Sequence, residues 1–455
     1  MTDRDGTIFS DSSIRIEGRL DRADRERDPY RYVPFDVPVG VRALRIAVRH
    51  DPPGDAAHPD DGAVIDVGLV GPGSLDIGTT SFRGWSGSER SSIVVGERQA
   101  TPGYRPGRLS PGRWHVILGL YGIPGGGCSY ALEIELLATE PVDSMSPMSP
   151  ASPVSSGPGP AGGRRWYACD LHAHSVHSDG VDELPALARA ARRAGLDVLV
   201  ATDHNTDSHH PWLAAAGDAA GVAYLPGEEI TTYRGHLNAI GATAWVDFRH
   251  STPTAIRAAI RAIHTAGGLA SINHPRGNTC AWGFGDDLPV DLIEIWNGPW
   301  SGADEESLDW WYEQIGSGRR PTPVGGSDCH DLANPETPLG TPTTWVHAAD
   351  PSRASIVDAL AAGRVALTRS PSETPPLIEV ERGTLSWQVP VSAVARRLVI
   401  RSVDGAVQEA PVAAGVHVGG TTVGADRAAL LAAAELRGPA HALHALVPLL
   451  NAGGR

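Results

Sequence analysis

Lysine is absent from all 455 residues, so each of the 38 basic side chains is an arginine. That excludes a phosphate-loop lysine, a Schiff-base lysine and a kinase-type Lys–Glu pair. Cysteine is scarce: Cys128, Cys169, Cys280 and Cys329 lie far apart with no CxxC, which suits reduced thiols better than a disulfide framework. No run approaches the ~18 consecutive apolar residues of a membrane span. The opening residues, MTDRDGTIFSDSS, carry neither a basic start nor a signal-like apolar stretch, and a cytoplasmic location is expected. Positive charge is in the minority. A net charge of −15 offers duplex nucleic acid or an anionic membrane little attraction.

What remains is a globular chain long enough for two or three domains at ~100–200 residues each. The clearest boundary is the stretch DSMSPMSPASPVSSGPGPAGG, in which 15 of 21 residues are Ser, Pro or Gly. Such a segment buries too little apolar surface to order itself, so 142–164 is expected to be a tether. Its GPGPAG matches a GxGxxG pattern by chance, because no strand precedes it. Ahead of it, residues 1–141 alternate apolar and polar positions in ALRIAVRH, AVIDVGLV, WHVILGLY and YALEIELL. This period of two, with Gly/Pro turns between, predicts an antiparallel β-sandwich. Over 165–374 strand-like and helix-like segments alternate, which predicts parallel strands with outer helices in a sheet or barrel. The helices are expected at ELPALARAARRAGL, TAIRAAIRAIHTAGG, SLDWWYEQIGSG and SRASIVDALAAG. Residues 375–455 return to strand patterning and suggest a small β domain, although the Ala/Leu-rich stretch after Ala425 also suits a helix.

Histidine carries the functional signal. Eleven of the 18 histidines fall between His172 and His330. His172, His174 and Asp179 stand in DLHAHSVHSDG, at the end of one strand, and His204 ends the next in ATDHN. Glu229 lies in LPGEEIT, His236 in GHLNAIG and His274 in INHP, while Asp328 and His330 end the last strand in GGSDCH. Strand carboxyl ends converge on one face in parallel α/β folds. The i, i+2 pairs His172/His174 and Asp328/His330 point to one side of a pleated strand. Three carboxylates and six imidazoles crowded together call for cations, and mixed N/O ligation suits Zn, Mn or Fe.

The ordered motifs DLHAHSVHSDG, ATDHN, INHP and GGSDCH resemble the polymerase and histidinol phosphatase (PHP) family of metal-dependent hydrolases, over about residues 166–370. The resemblance implies a distorted (βα)7 barrel with two to three divalent metals. It implies that His172, His174, Glu229 and Asp328 hold the first, Glu229 with His236 and His274 the second, and Asp179, His204 and His330 the third. Glu228 adjoins Glu229 and competes for its place. Asp179 in the first motif resembles the branch that acts on nucleotides. GHLNAIG, EIWNGP and a leading β domain resemble the carbaryl-hydrolase-like branch. The implied activity is hydrolysis of a small phosphorylated substrate (a nucleotide, a short oligonucleotide end or a phosphomonoester) through a metal-bridging hydroxide. A carbamate or carboxylic ester is the alternative bond. A non-catalytic role, with the sandwich binding a glycan or partner, is the alternative class.

Beyond the ligands, Arg276 in NHPRG is a candidate phosphate anchor, set against an ordinary pairing with a surface carboxylate. His177 is a candidate general acid, set against a buried, hydrogen-bonded histidine. Asp170 and Asp203 could orient imidazoles or cap turns. His209 and His210 read as solvated loop residues, Cys169 and Cys329 as core thiols, and Trp310/Trp311 as packing.

Overall fold

A computed structural model describes residues 10–52, 62–141, 163–277, 280–381 and most of 384–449. The expected tether lies almost wholly outside the described residues. Two four-stranded antiparallel sheets form the N-terminal region, and the four alternating segments are strands Ala43–His50, Val64–Val70, Gly112–Gly122 and Cys128–Leu137. In Cys128–Leu137 the side chains of Leu132, Ile134 and Leu136 are buried between the sheets and those of Glu133 and Glu135 are not. The period-two pattern thus translates directly into an inner and an outer face.

The outer face of the sheet containing Val64–Val70 is not solvated. Tyr30, Val70, Phe82, Trp85 and Ile117 belong to the same apolar cluster as the α/β region's own core. Phe82 stacks on Trp245 at 4.1 Å, and Trp85 packs on Phe248 at 4.6 Å between ring centroids. Polar contacts fix the seam. Arg249 donates to the carbonyls of Leu75 (3.0 Å) and Asp76 (3.1 Å), Asp247 accepts from Gly78 N (2.7 Å), and Arg105 Nε donates to Asp207 (2.6 Å). Thr206 and Ser208 are held by the backbone of Gly103. The loop that follows His204 is therefore gripped by the N-terminal sheets.

Helix formation in the α/β region follows local chemistry. Leu184–Ala194 buries Leu184, Leu187, Ala188 and Ala191 on one stripe, starts at a proline and stops at Gly195 with φ 95°. Pro253–Thr265 is capped by the Thr252 hydroxyl, which accepts from Ala255 N at 3.2 Å. Gly302–Gly316 begins with a reciprocal Ser301/Asp304 capping box, and its Trp311 donates to the Pro321 carbonyl. A further helix, His210–Ala220, has no counterpart among the expected helices, because its apolar stripe is interrupted by Ala and Gly.

The distorted (βα)7 barrel that the family resemblance implies is not evident. The strands pair instead into two sheets. Leu269–Ile272, Leu292–Asn297 and Thr322–Gly326 run parallel in a five-stranded sheet that also contains Glu229–Thr232 and Gly235–Ile240. Arg165–Asp170, Val198–Val200 and Ala223–Leu225 run parallel at one end of a nine-stranded sheet. Isolated parallel bridges, Ala173 to Cys329 and His204 to Glu229, join segments of the two sheets. The Ala/Leu-rich C-terminal segment is extended, not helical: Leu431–Arg437 and Leu443–Pro448 continue the nine-stranded sheet through Val365–Thr368. Alternation of small and apolar residues buried on both sides explains why its sequence suited either element.

Candidate metal centre

Both isolated bridges lie at the candidate ligands. His174 N donates to Cys329 O and Asp328 N to His172 O, each at 2.9 Å, so residues 172–174 and 328–329 are pinned side by side. Asn205 N donates to Glu229 O at 2.9 Å and fixes the second pair of loops. His236 stands on Gly235–Ile240 opposite Thr231, and His274 follows Leu269–Ile272 by two residues.

All nine residues come together. His172 Nε2 is 3.3 Å from Asp328 and 3.5 Å from Glu229, and His174 Nε2 is 3.0 Å from Asp328 and 3.6 Å from Glu229. His236 and His274 face Glu229 Oε1 at 3.1 and 3.4 Å. Asp179 lies 3.5 Å from His204, 3.3 Å from His330 and 3.9 Å from His174. These contacts resolve into three groups whose donor atoms converge: His172/His174/Glu229, Glu229/His236/His274 and His174/Asp179/His204/His330. Exposure is graded across them. The side chains of His172, His174 and Glu229 are at most 1% exposed, whereas Asp179 and His330 are 38% and 36% exposed. The first group is a floor and the last a rim open to solvent.

The donors fit divalent cations on a test of their own. His172 Nε2, His174 Nε2, Asp179 Oδ1 and Glu229 Oε2 are buried atoms with no hydrogen-bond partner among the described residues. Leaving such atoms unsatisfied costs about 1–3 kcal/mol each, more for charged groups, so the fold maintains them for a ligand. Backbone strain points to the same place. Among described non-glycine residues, Asn205, His274 and Asp328 have positive φ, at 58°, 25° and 52°. Two of the three are candidate ligands and the third follows one. Held strain of this kind collects where surrounding structure fixes a functional geometry.

Glu294 orients the floor. Its Oε1 lies 2.9 Å from His172 Nδ1, and its Oε2 accepts from His274 N (2.9 Å) and from Asn297 Nδ2 (3.1 Å). This carboxylate would hold the Nδ1 proton and leave Nε2, which faces Glu229 and Asp328, free to bind a cation. The sequence carried a sign of it: an acidic residue inside the apolar strand LIEIWN, 3% exposed. Glu294→Gln is expected to weaken metal affinity about 10–100-fold while the fold is retained, as read by competition with a chromogenic chelator.

Other candidates take different positions. Glu228 turns away: it is fully buried, accepts from Val246 N at 2.7 Å, and burial pushes its carboxyl well above the usual range. Glu229, not Glu228, therefore faces the cluster. Asp170 ties backbones together, accepting from Ser327 N, Gly340 N and His172 N. Asp203 accepts from Ser175 and from the Ser178 hydroxyl, which in turn lies 3.5 Å from His174 Nδ1. His209 is not a solvated residue: it is fully buried, 3.3 Å from Asp203. His210 is part-buried against the Gly227 carbonyl. His177 is 2.8 Å from Ser208 Oγ, and burial lowers it to about 4, so the hydrogen-bonded reading describes its position. Arg276 lies 4.4 Å over the Trp310 ring and 3.9 Å from Asp286. Burial pushes the Cys329 thiol up to about 12.

A cavity of about 260 Å³ opens at the rim. Asp179, His204 and His236 form one side, and Asp66, Trp85, Tyr121 and Glu89 of the N-terminal sheets form the other. No arginine lines it among the described residues.

No family model matches the chain. An uncharacterized protein of Methanocaldococcus jannaschii is 30% identical over 142 residues, which is 28% of this chain and 80% of that protein. Among solved structures, a two-domain protein from Bacteroides vulgatus, described as containing a predicted PHP-like metal-dependent phosphoesterase, is 21% identical with a TM-score of 0.39. That overlap covers 56% of this chain and 87% of the other. An amidohydrolase from Chromobacterium violaceum is 17% identical with a TM-score of 0.26, covering 37% of this chain and 89% of the other.

Proposed function

For a chain that belongs to the same family as this archaeal protein, we propose the function of a metal-dependent hydrolase of the PHP kind that cleaves a small phosphoester. The observation that carries the reading is the convergence of nine ligand-type side chains, four of which (His172, His174, Asp179 and Glu229) offer a buried atom with no hydrogen-bond partner among the described residues. His172, His174, Glu229 and Asp328 would hold one cation, Glu229, His236 and His274 a second, and Asp179, His204 and His330 a third. Bound divalent cations would acidify water toward a pKa of ~7 and neutralise charge gathering on the reacting group. The chain's own part is positional. Glu294 and Ser178 set the imidazoles, Glu229 is shared between two groups, and Asp179, His204 and His236 face the cavity from which substrate would enter.

A second reading, hydrolysis of a carbamate or carboxylic ester, is favoured by a cavity wall with no arginine among the described residues, which gives a dianion no anchor there beyond the cations. The two separate in a screen of metal-loaded protein against p-nitrophenyl phosphate and 1-naphthyl esters. Chelator-sensitive phosphate release is expected. Ester turnover without any phosphate release would replace the first reading by the second.

A further inference from the structure

We propose that the N-terminal sandwich builds the leaving-group side of the metal cavity, and that Asp66 is the group that meets the leaving oxygen there. The inference rests on the hydrolase reading above and assigns a catalytic part to the N-terminal domain, for which the sequence offered a binding role only under the alternative, non-catalytic class.

Strand periodicity sends Asp66 to this place. On Val64–Val70 the side chains of Ile65, Val67 and Leu69 enter the sandwich core, while Val70 joins the core of the α/β region. Asp66, on the same face as Val70, is turned toward the metal centre and is only 8% exposed. A buried acid on an otherwise apolar docking face is costly unless it is used or paired. Tyr233 supplies one partner, its hydroxyl donating to Asp66 Oδ2 at 2.7 Å. The Tyr233 ring is itself fixed by stacking on Tyr30 at 5.6 Å.

The contact has a prepared seat. Gly119 pairs across the sheet with Asp66, and any Cβ there would collide with the Tyr233 hydroxyl, the Trp85 ring and Asp66 itself. Glycine at this position lets the phenol of one domain reach the carboxyl of the other. Oδ2 is thereby engaged, and Asp66 shares the cavity with Asp179, His204 and His236.

The titratable groups facing Asp66 are Tyr30, Tyr121, Tyr233 and His204. Burial raises its carboxyl to about 7, with the Tyr233 hydrogen bond and the nearby His204 working against that rise. A protonated Asp66 can therefore donate near neutrality. In the step, a water oxygen bonds to the reacting centre and the bond to the leaving oxygen breaks. The leaving oxygen takes the Asp66 proton, and the proton given up by the attacking water restores the carboxyl through cavity water. The wall around Asp66, with Trp85, Tyr121 and Glu89 and no arginine among the described residues, suits a leaving group that is neutral and aromatic in size, not a polyphosphate chain.

The test compares wild type and Asp66→Asn on phenyl and p-nitrophenyl substrates of whichever ester class the wild type cleaves. A phenolate needs a proton more than a nitrophenolate does. The variant is expected to lose about 100-fold more on the phenyl substrate than on the nitrophenyl one. Loss by one common factor on both would overturn the assignment while leaving the hydrolase reading intact. Should Asp66→Asn fail to fold, Tyr233→Phe carries the test: losing that hydrogen bond should move the fall of kcat at rising pH to higher pH. An unmoved profile contradicts the proposal. A metal-loaded wild type inactive on every ester would sink the hydrolase reading and this assignment with it.

Discussion

Glu229→Gln is expected to lower kcat by about a thousandfold or more and to remove bound metal, with the fold retained. The size of the effect follows from how many groups this one side chain serves. Oε1 faces His172, His236 and His274 between 3.1 and 3.5 Å, and accepts from Asn273 Nδ2 at 2.9 Å. Oε2 faces His204 at 2.7 Å and His174 at 3.6 Å. Five imidazoles thus surround one buried carboxylate. An amide there presents no charge, and whichever way it turns, an N–H₂ group meets imidazoles that must stay free to bind cations. Activity of the variant is read beside its metal content; a variant keeping wild-type metal and rate would show that Glu229 is only a structural acid.

Returning metal to chelator-treated protein is expected to raise its melting temperature, and to raise it more at pH 8 than at pH 6. Burial disfavours charged imidazoles, yet in the metal-free chain the carboxylates prevail. Asp328, Glu294 and Glu229 lift His172 well above its usual value, Asp179 and Glu229 do the same for His204, and Glu229 helps bring His236 to about 9. These histidines therefore hold protons near neutrality, and cations must displace them. The sign is fixed by linkage. A raised histidine stabilises the metal-free fold below its unfolded pKa of ~6.5, and that contribution is lost as pH rises through the folded value. Glu229 and Asp328 run the opposite way: burial resists their ionisation, the surrounding histidines outweigh it and hold both well below the usual carboxylate range, and their contribution is lost as pH falls. The metal-free protein is then steadiest in mildly acid solution, and cations at about a thousand times Kd would add ~4 kcal/mol. Calorimetry in two buffers of different ionisation enthalpy should register proton release on metal uptake. Uptake without protons, or a metal-induced stabilisation that shrinks with rising pH, would contradict this electrostatic picture.

The candidate site was legible because metal chemistry limits the residue types and strand pleating limits their spacing. His172/His174 could be read as one-sided from sequence alone, and each motif stood at a strand end. Residues that act on the ligands were harder to read, since Glu294 belongs to an apolar strand and Ser178 to a loop, where nothing local marks their direction. His209 is hard to read for the same reason: a His-His pair in a polar loop looks solvated until Asp203 and the Gly227 carbonyl close on it. The N-terminal sandwich itself was visible from alternation. Its outer face was not, because Val70, Phe82 and Trp85 satisfy the same alternation whether that face meets water or another domain. The distorted (βα)7 barrel is not evident, since βα alternation does not say which strands hydrogen-bond, and Gly235–Ile240 pairs antiparallel with both its neighbours.

The most direct measurement is elemental analysis of the full chain purified without chelator, together with its His172→Ala variant. Two to three equivalents of Zn, Mn or Fe are expected in the wild type, with a clear fall in the variant. A wild type that retains less than one equivalent, even after incubation with each metal and gel filtration, would contradict the metal centre.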